Sequence, residues 1–362
     1  MSTPTGPVGS AGSLGVARLA SLGVAPAHLG MPAEVVEALG ALQAQDYASA
    51  LWAVGLRAPG SVRADVETAL NAGAIVRTWP MRGTLHLVPG ADARWMCTLL
   101  NAPVHRAARR RWEQLGLTET HFGTAADAVQ AALAEPGTGG RLTRPEAFEV
   151  LRRAGIDPVG QRGYHVVSRL AQDGLLGQVA QTGAQQTFAL LDDVAAQRTL
   201  GREEAMAILA ARYVRGHAPT TDRDLAWWTG QNLGWAREAL ALAGVDPGEV
   251  AVPSPTPEPG RLHLLPGFDE YLLGYADRSH AGPPEALDAV VPGRNGIFLP
   301  TIVVDGRIVG TWRRLTRARG LSVIPTWLEQ PAPAWVSSLA EATTDYVRFV
   351  SGGPTSGGAP RT

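Results

Sequence analysis

Twice in this chain a set of helical segments gives way to two short β-rich segments joined by a turn, and that order constrains the fold more than any other feature. In the first instance, Ala33 to Leu42, Ala48 to Leu56 and Val62 to Ala72 read as helices. Ala74 to Trp79 and Thr84 to Val88 then flank Pro80-Met81-Arg82-Gly83, which predicts a hairpin with a four-residue turn. In the second, Thr143-Arg144-Pro145-Glu146 has the Ser/Thr-x-x-Glu spacing of a capping box and opens a helix running to Arg153. A helix from Tyr164 to Asp173 follows. Leu176 to Ala180 and Gln186 to Leu191 then enclose a turn at Thr182-Gly183. Helix, turn, helix and wing make a winged helix, and the chain spells that order twice.

The rest of the chain extends the pattern. Glu203 to Arg215, Asp222 to Trp228 and Leu233 to Leu242 predict a third, helical unit. Pro253 to Pro259 alternates proline with other residues, as a stiff linker does. Beyond it, Thr301 to Val304 and Arg307 to Trp312 enclose Asp305-Gly306, a strong hairpin signal. Trp335 to Val350 closes the chain as an amphipathic helix. The expected organisation is α+β: a flexible start (1–15), winged helices at 16–115, 116–197 and 198–252, and a linker at 253–260. A β-rich region at 261–350 and a disordered tail at 351–362 complete it.

Composition removes several classes of function. With 362 residues, 45% of them hydrophobic, the chain can bury more than one core. No run of about 18 apolar residues is present, so no membrane span is expected. The start lacks a basic-then-apolar leader pattern, and cytoplasm is the expected location. The single cysteine, Cys97, excludes an internal disulfide and any multi-cysteine metal site; burial in packing is its expected role. All 32 basic residues are arginine, which removes lysine Schiff-base chemistry. No two of the eight histidines lie three to five residues apart, so no metal site is expected, and no cofactor either. The net charge of −1 does not announce a nucleic-acid partner. Local charge matters more, and arginines gather at 106, 109, 110 and 111 and again at 313, 314, 317 and 319.

Three stretches carry a resemblance: Arg77-Thr78-Trp79-Pro80-Met81-Arg82-Gly83-Thr84-Leu85-His86-Leu87-Val88-Pro89, Leu265 to Arg278, and Asn295-Gly296-Ile297-Phe298-Leu299-Pro300. From about Val16 to Val350 the chain resembles the AlkZ-like winged-helix DNA glycosylases, a family associated with azinomycin resistance and the unhooking of DNA interstrand crosslinks. The resemblance implies three tandem winged helices and a β-rich C-terminal region enclosing a concave DNA-binding face. It also implies a catalytic Gln-x-Gln, matched here by Gln43-Ala44-Gln45, and a hairpin that engages DNA. The Asp305-Gly306 hairpin, ending at Arg313 and Arg314, is the candidate. The implied partner is double-stranded DNA containing alkylated purines, met by a monomer associated with the nucleoid.

Two glutamines suit one chemistry. Alkylation at N7 of guanine makes the base cationic and a good leaving group, so little acid catalysis is required. An amide oxygen can orient the attacking water and favour positive charge building on the sugar. Residues i and i+2 diverge by about 200° on a helix and share a side only on an extended segment, which predicts that Gln43-Ala44-Gln45 leaves helical geometry. Asp46 is a competing base or a helix cap. Arg77, Arg82 and His86 on the first hairpin, with Arg278, Arg313 and Arg314, are the candidate DNA contacts. Asp269-Glu270 is expected to tie structure to Arg278, and Trp227, Trp228 and Trp235 are expected in the core. Two rival readings remain: a non-catalytic winged-helix regulator, and a small-molecule hydrolase using Asp46, Asp269 or Glu270. No deep, closed nucleobase pocket is expected, because a base tethered across a crosslink cannot readily be flipped.

Overall fold

The computed structural model describes residues 11–182, 185–248, 258–317 and 320–352. The start before Ala11, the tip of the second wing at Gly183, the linker from Pro253 to Pro257, Arg319 and the tail from 353 lie outside the described residues.

α1 (Ala11–Ser21) precedes the first unit: α2 (Pro32–Leu39), β1 (Leu42–Gln43), α3 (Tyr47–Gly55), α4 (Arg63–Asn71), β2 (Ile75–Met81) and β3 (Thr84–Pro89). The helix expected to run to Leu42 stops at Leu39. Gly40 adopts φ 80° there and turns its N–H back to Val36 O, ending the helix and freeing the next residues to extend. The turn between β2 and β3 is also tighter than expected. It has two residues, Arg82 and Gly83, with φ of 56° and 71°, and the strand continues through Met81. Trp79 and Pro80 together oppose Leu85, a bulge placed where proline has no N–H to offer the ladder.

After α5 (Ala93–Leu100) and α6 (Ala102–Gln114), the second unit repeats the plan. It comprises α7 (Glu119–Leu133), β4 (Leu142–Thr143), α8 (Arg144–Arg153), α9 (Arg162–Gln172), β5 (Leu176–Thr182) and β6 (Gln185–Leu190). The capping box forms as the spacing requires: Thr143 N–H donates to Glu146 at 2.7 Å, and Glu146 N–H to Thr143 Oγ1 at 3.4 Å. The two wings pair edge to edge through Arg77 and Gln178, giving one sheet in the order β1-β3-β2-β5-β6-β4.

α10 (Leu191–Val194) leads to α11 (Arg202–His217), α12 (Asp222–Thr229) and α13 (Leu233–Ala243). This third unit has no hairpin of its own among the described residues. Its helices pack on the first wing. Val76, Met81 and Val88 join Leu209, Tyr213 and Trp228 in one core cluster, while Ile75, Leu85 and Leu87 enter the other. β2 is therefore covered on both faces and buried along its whole length, which is why it lacks polar alternation.

The C-terminal region starts with β7 (Leu262–Leu265) and continues through α14 (Glu270–Leu273), α15 (Pro284–Val290), β8 (Thr301–Val304), β9 (Arg307–Arg317), β10 (Gly320–Trp327) and α16 (Pro333–Ser351). The sheet order is β10-β9-β8-β7. The hairpin expected at Asp305-Gly306 forms from β8 and β9. Its turn is tied inward at Gly306, whose carbonyl accepts from the Tyr271 hydroxyl, while Asp305 is exposed. Arg313 and Arg314 lie farther along β9, opposite Ile324 and Val323 of β10, a strand the sequence reading missed. Both arginines are exposed.

Candidate functional site

Gln43 ends β1 and Tyr47 begins α3, so Ala44, Gln45 and Asp46 form the connection between strand and helix. Ala44 is fully buried, Gln43 is half-buried and Gln45 is exposed, the alternation of an extended segment. Ala44 N–H donates to Leu85 O at 2.7 Å, and the Gln45 side chain extends the ladder by accepting from Leu85 N–H at 3.1 Å through Oε1. Gln43 lies opposite His86 and accepts from Arg82 through Oε1 at 3.1 Å. Each amide oxygen thus has one fixed donor and keeps a second lone pair, and each amide N–H2 has hydrogens to give.

Arg77 was expected at a DNA backbone; the structure places it underneath the motif, 2% exposed. Its Nε and one terminal nitrogen donate to Ala44 O at 2.9 and 2.7 Å, and the other donates to Gln178 Oε1 at 2.5 Å. Burial lowers its pKa to about 10, partly offset by Tyr47 and Asp46, so it remains cationic at neutral pH. One residue therefore pins the motif and joins the two wings. His86 is likewise corrected from the surface to the interior, fully buried. Its Nδ1–H donates to Thr84 O at 3.0 Å and its Nε2 accepts from Arg82 at 3.1 Å. Burial, and then the charge of Arg82, push its pKa down to about 3, which keeps it a neutral acceptor.

Arg82 stands half-buried at the turn between Gln43 and His86. Burial lowers its pKa, while Glu270 and Tyr213 oppose the shift. Arg278 is half-buried as well. It donates to Leu272 O at 2.7 Å, and its guanidinium lies 5.1 Å from the Trp227 ring and 5.3 Å from the Phe298 ring. Trp228 and Trp235 are core residues, but Trp227 is 46% exposed and serves as a face for Arg278.

Glu270, expected beside Arg278, lies instead against the Gln43 strand end. Its carboxylate, fully buried, accepts from Gln43 N–H at 3.0 Å, Trp228 Nε1–H at 2.9 Å and His217 Nε2–H at 3.4 Å. Burial alone would raise its pKa; His217, Arg82 and His86 outweigh burial and hold it at about 2. A buried carboxylate therefore satisfies the outward N–H of the edge strand beside the motif. Its partner Asp269 does not reach Arg278. Asp269 forms a bidentate pair with Arg57 at 2.8 and 2.9 Å and caps α14. The only sequence signal was an acidic pair in an apolar setting. Asp46 accepts from Ser49 N–H at 2.8 Å as the N-cap of α3. Cys97 is buried, which pushes its thiol up to about 12. Among the described residues no group of three or more His, Cys, Asp or Glu could hold a metal, and no helix is long and apolar enough to cross a membrane.

Two helix-and-hairpin units that share one sheet, with a pair of amides held at one strand end, give a mixed α/β protein with a prepared polar site. The sequence model of the family described as DNA glycosylase AlkZ-like matches residues 36–349, and the chain belongs to that family. An interstrand DNA cross-link repair glycosylase from Streptomyces sahachiroi is 25% identical over 330 residues, covering 83% of this chain and 87% of that one. The solved structure of the Streptomyces sahachiroi DNA glycosylase AlkZ superposes with a TM-score of 0.72 at 24% identity. It covers 94% of this chain and 96% of its own, a likeness of fold.

Proposed function

We propose that the protein is a monofunctional DNA glycosylase that hydrolyses the N-glycosidic bond of cationic alkylated purines. N7-alkylguanine is the central substrate, and interstrand crosslinks built on such bases fall within reach. The role would be DNA repair, or self-resistance to a DNA-alkylating natural product. The observation that carries the reading is the extended Gln43-Ala44-Gln45 segment, whose amides are oriented by Arg82 and the Leu85 backbone.

On this reading Gln45 orients the attacking water through its remaining lone pair. The Gln43 oxygen already takes a charge-assisted bond from Arg82, so its part is to fix that arginine and the strand end. The cationic base departs neutral and needs no strong acid. Normal purines would need one, and selectivity follows from that chemical difference. With no lysine in the chain, a lysine Schiff base and the strand cleavage it supports are not expected. Arg82, Arg278, Arg313 and Arg314 are proposed to meet phosphates. The exposed Arg106, Arg109, Arg110 and Arg111 of α6 join them, because α6 begins against the Arg82-Gly83 turn: Val104 would lie 3.5 Å from a Cβ on Gly83. The third helical unit would complete the array around a concave face that receives the duplex as a monomer, in the cytoplasm on the nucleoid.

The test is single-turnover incubation with duplex DNA carrying N7-methylguanine. Free N7-methylguanine should be released and an intact abasic strand left behind. A protein that binds the duplex and never releases the base would be a regulator or architectural factor, and the reading would fall.

A further inference from the structure

Gln45 has a second neighbourhood. Beside it, in the seam between the two winged-helix units, lies a cleft of about 180 Å3. Trp79 and Leu85 form its wall on the first unit; Phe148, Tyr164 and Phe188 face them from the second. Trp79 and Tyr164 meet edge to face at 6.4 Å, and Tyr164 is 39% exposed at the mouth. Such a lining suits a flat, apolar guest that stacks.

Two further observations narrow the guest. The Trp79 side chain is 3% exposed, and its indole N–H is buried with no hydrogen-bond partner. That N–H is sealed from solvent, so Trp79 offers an entering guest apolar surface rather than a donor, which favours an apolar occupant. Charge sets the second limit. Arg77 contributes to the lining, and Arg144 stands over Phe148 with its guanidinium carbon 5.2 Å from the ring. Two guanidinium groups disfavour a cationic guest, and the alkylated purine is cationic until its bond breaks. The base itself is therefore the wrong occupant. A neutral group attached to it, reaching past Gln45, is the right one.

We propose that this cleft receives a neutral, planar aromatic substituent carried by the alkylated purine, stacked on Tyr164 and Phe148. This rests on the glycosylase reading and deepens it: the preferred substrates are bulky aryl adducts, with small alkyl adducts handled by the amides alone.

Two duplexes test the assignment, one carrying N7-methylguanine and one N7-benzylguanine. Binding is read by anisotropy and base release by single-turnover kinetics. The wild-type protein should bind the benzyl duplex at least about tenfold more tightly than the methyl duplex. Tyr164→Ala should erase the aryl preference and leave release of N7-methylguanine within about twofold of wild type. Equal binding of methyl and benzyl duplexes overturns the proposal. So does a Tyr164→Ala variant that weakens both equally, which would make the cleft a site for the purine itself. An aryl preference in binding that Tyr164→Ala removes, without release of any base, would support the cleft and refute the glycosylase reading.

Discussion

The two winged-helix units follow one plan and differ at one joint. In the second unit β4 ends at Thr143 and α8 begins at Arg144, so the last strand residue is itself the helix cap. In the first, β1 ends at Gln43 and α3 begins at Tyr47, and the three intervening residues carry Gln45 and the cap Asp46. The N–H of the strand's last residue is treated differently as well. Thr143 N–H is satisfied by Glu146 of its own helix at 2.7 Å, whereas Gln43 N–H is satisfied by Glu270, 227 residues away, at 3.0 Å. Across the hairpin, Thr143 faces Thr187, while Gln43 faces His86. A winged helix alone does not make this site. A lengthened joint makes it, together with a carboxylate lent by the C-terminal region.

If that lengthened joint is the chemical difference, removing its amides should produce the largest effect. The Gln43→Ala/Gln45→Ala double variant should slow single-turnover release of N7-methylguanine by about 1,000-fold, within the range common for groups that move or orient protons. Gln45→Ala should account for more of the loss than Gln43→Ala, because Arg82 already engages the Gln43 oxygen. DNA affinity should stay near wild type. A double variant with wild-type rates would dissolve the distinction between the units.

Asp269→Ala tests the bracing of the first unit by the C-terminal region. It leaves the Arg57 guanidinium buried without its carboxylate, against the carbonyls of Leu22 and Ala53 only. Breaking such a pair costs about 3–5 kcal/mol, and urea titration should show a loss near the low end, since two acceptors remain. A loss below about 1 kcal/mol would mean that the first unit stands without this brace.

The local half of this architecture was legible and the remote half was not. Helix and hairpin order and the Thr143 capping box follow from neighbours a few residues apart, where spacing dictates geometry, whereas the non-helical Gln43-Ala44-Gln45 segment followed from the resemblance, which gives both amides one substrate. Arg77 and His86 read as surface groups because polar residues on a hairpin usually are. His86 lies on the sheet face that α11 to α13 cover, and Arg77 on the other, under Ala44 and against Gln178 of the second wing; neither packing choice has a local signature. Glu270 is the same case at greater range. Arg313 and Arg314 sit on the strand that the Asp305-Gly306 turn starts, but beyond its pairing with β8, because the turn does not say how far that strand runs.

His86 allows a titration of the difference between the units. In the folded protein burial and Arg82 hold its pKa at about 3, while an unfolded histidine titrates near 6.5. Between those values the unfolded chain binds the extra proton. The stability His86 confers is therefore complete above about pH 6.5 and is lost as pH falls toward 3, at about 1.4 kcal/mol per pH unit. His86→Thr copies the residue found opposite Thr143. It should flatten the acid limb of stability against pH by about one proton between pH 6 and 4, whatever it does to stability at pH 7. An unchanged slope would mean that His86 is protonated in the folded state.

The smallest effect comes from comparing the two caps. Asp46 and Thr143 each accept from a backbone N–H three residues on, at 2.8 Å from Ser49 and 3.4 Å from Glu146. Replacing either by alanine should cost about 1 kcal/mol, the usual worth of an N-cap. In stability the two units should look alike. In activity they should separate only slightly. Thr143→Ala should leave base release unchanged, and Asp46→Ala should slow it by less than about tenfold, because a loosened α3 start lets Gln45 wander. Asp46 is exposed and one residue from Gln45, so a larger role would be as the base that takes a proton from water. Loss of about 100-fold or more in Asp46→Ala, at unchanged DNA affinity, would establish that role and move the chemistry from the amides to the carboxylate. The joint would still distinguish the first unit from the second, but through its cap.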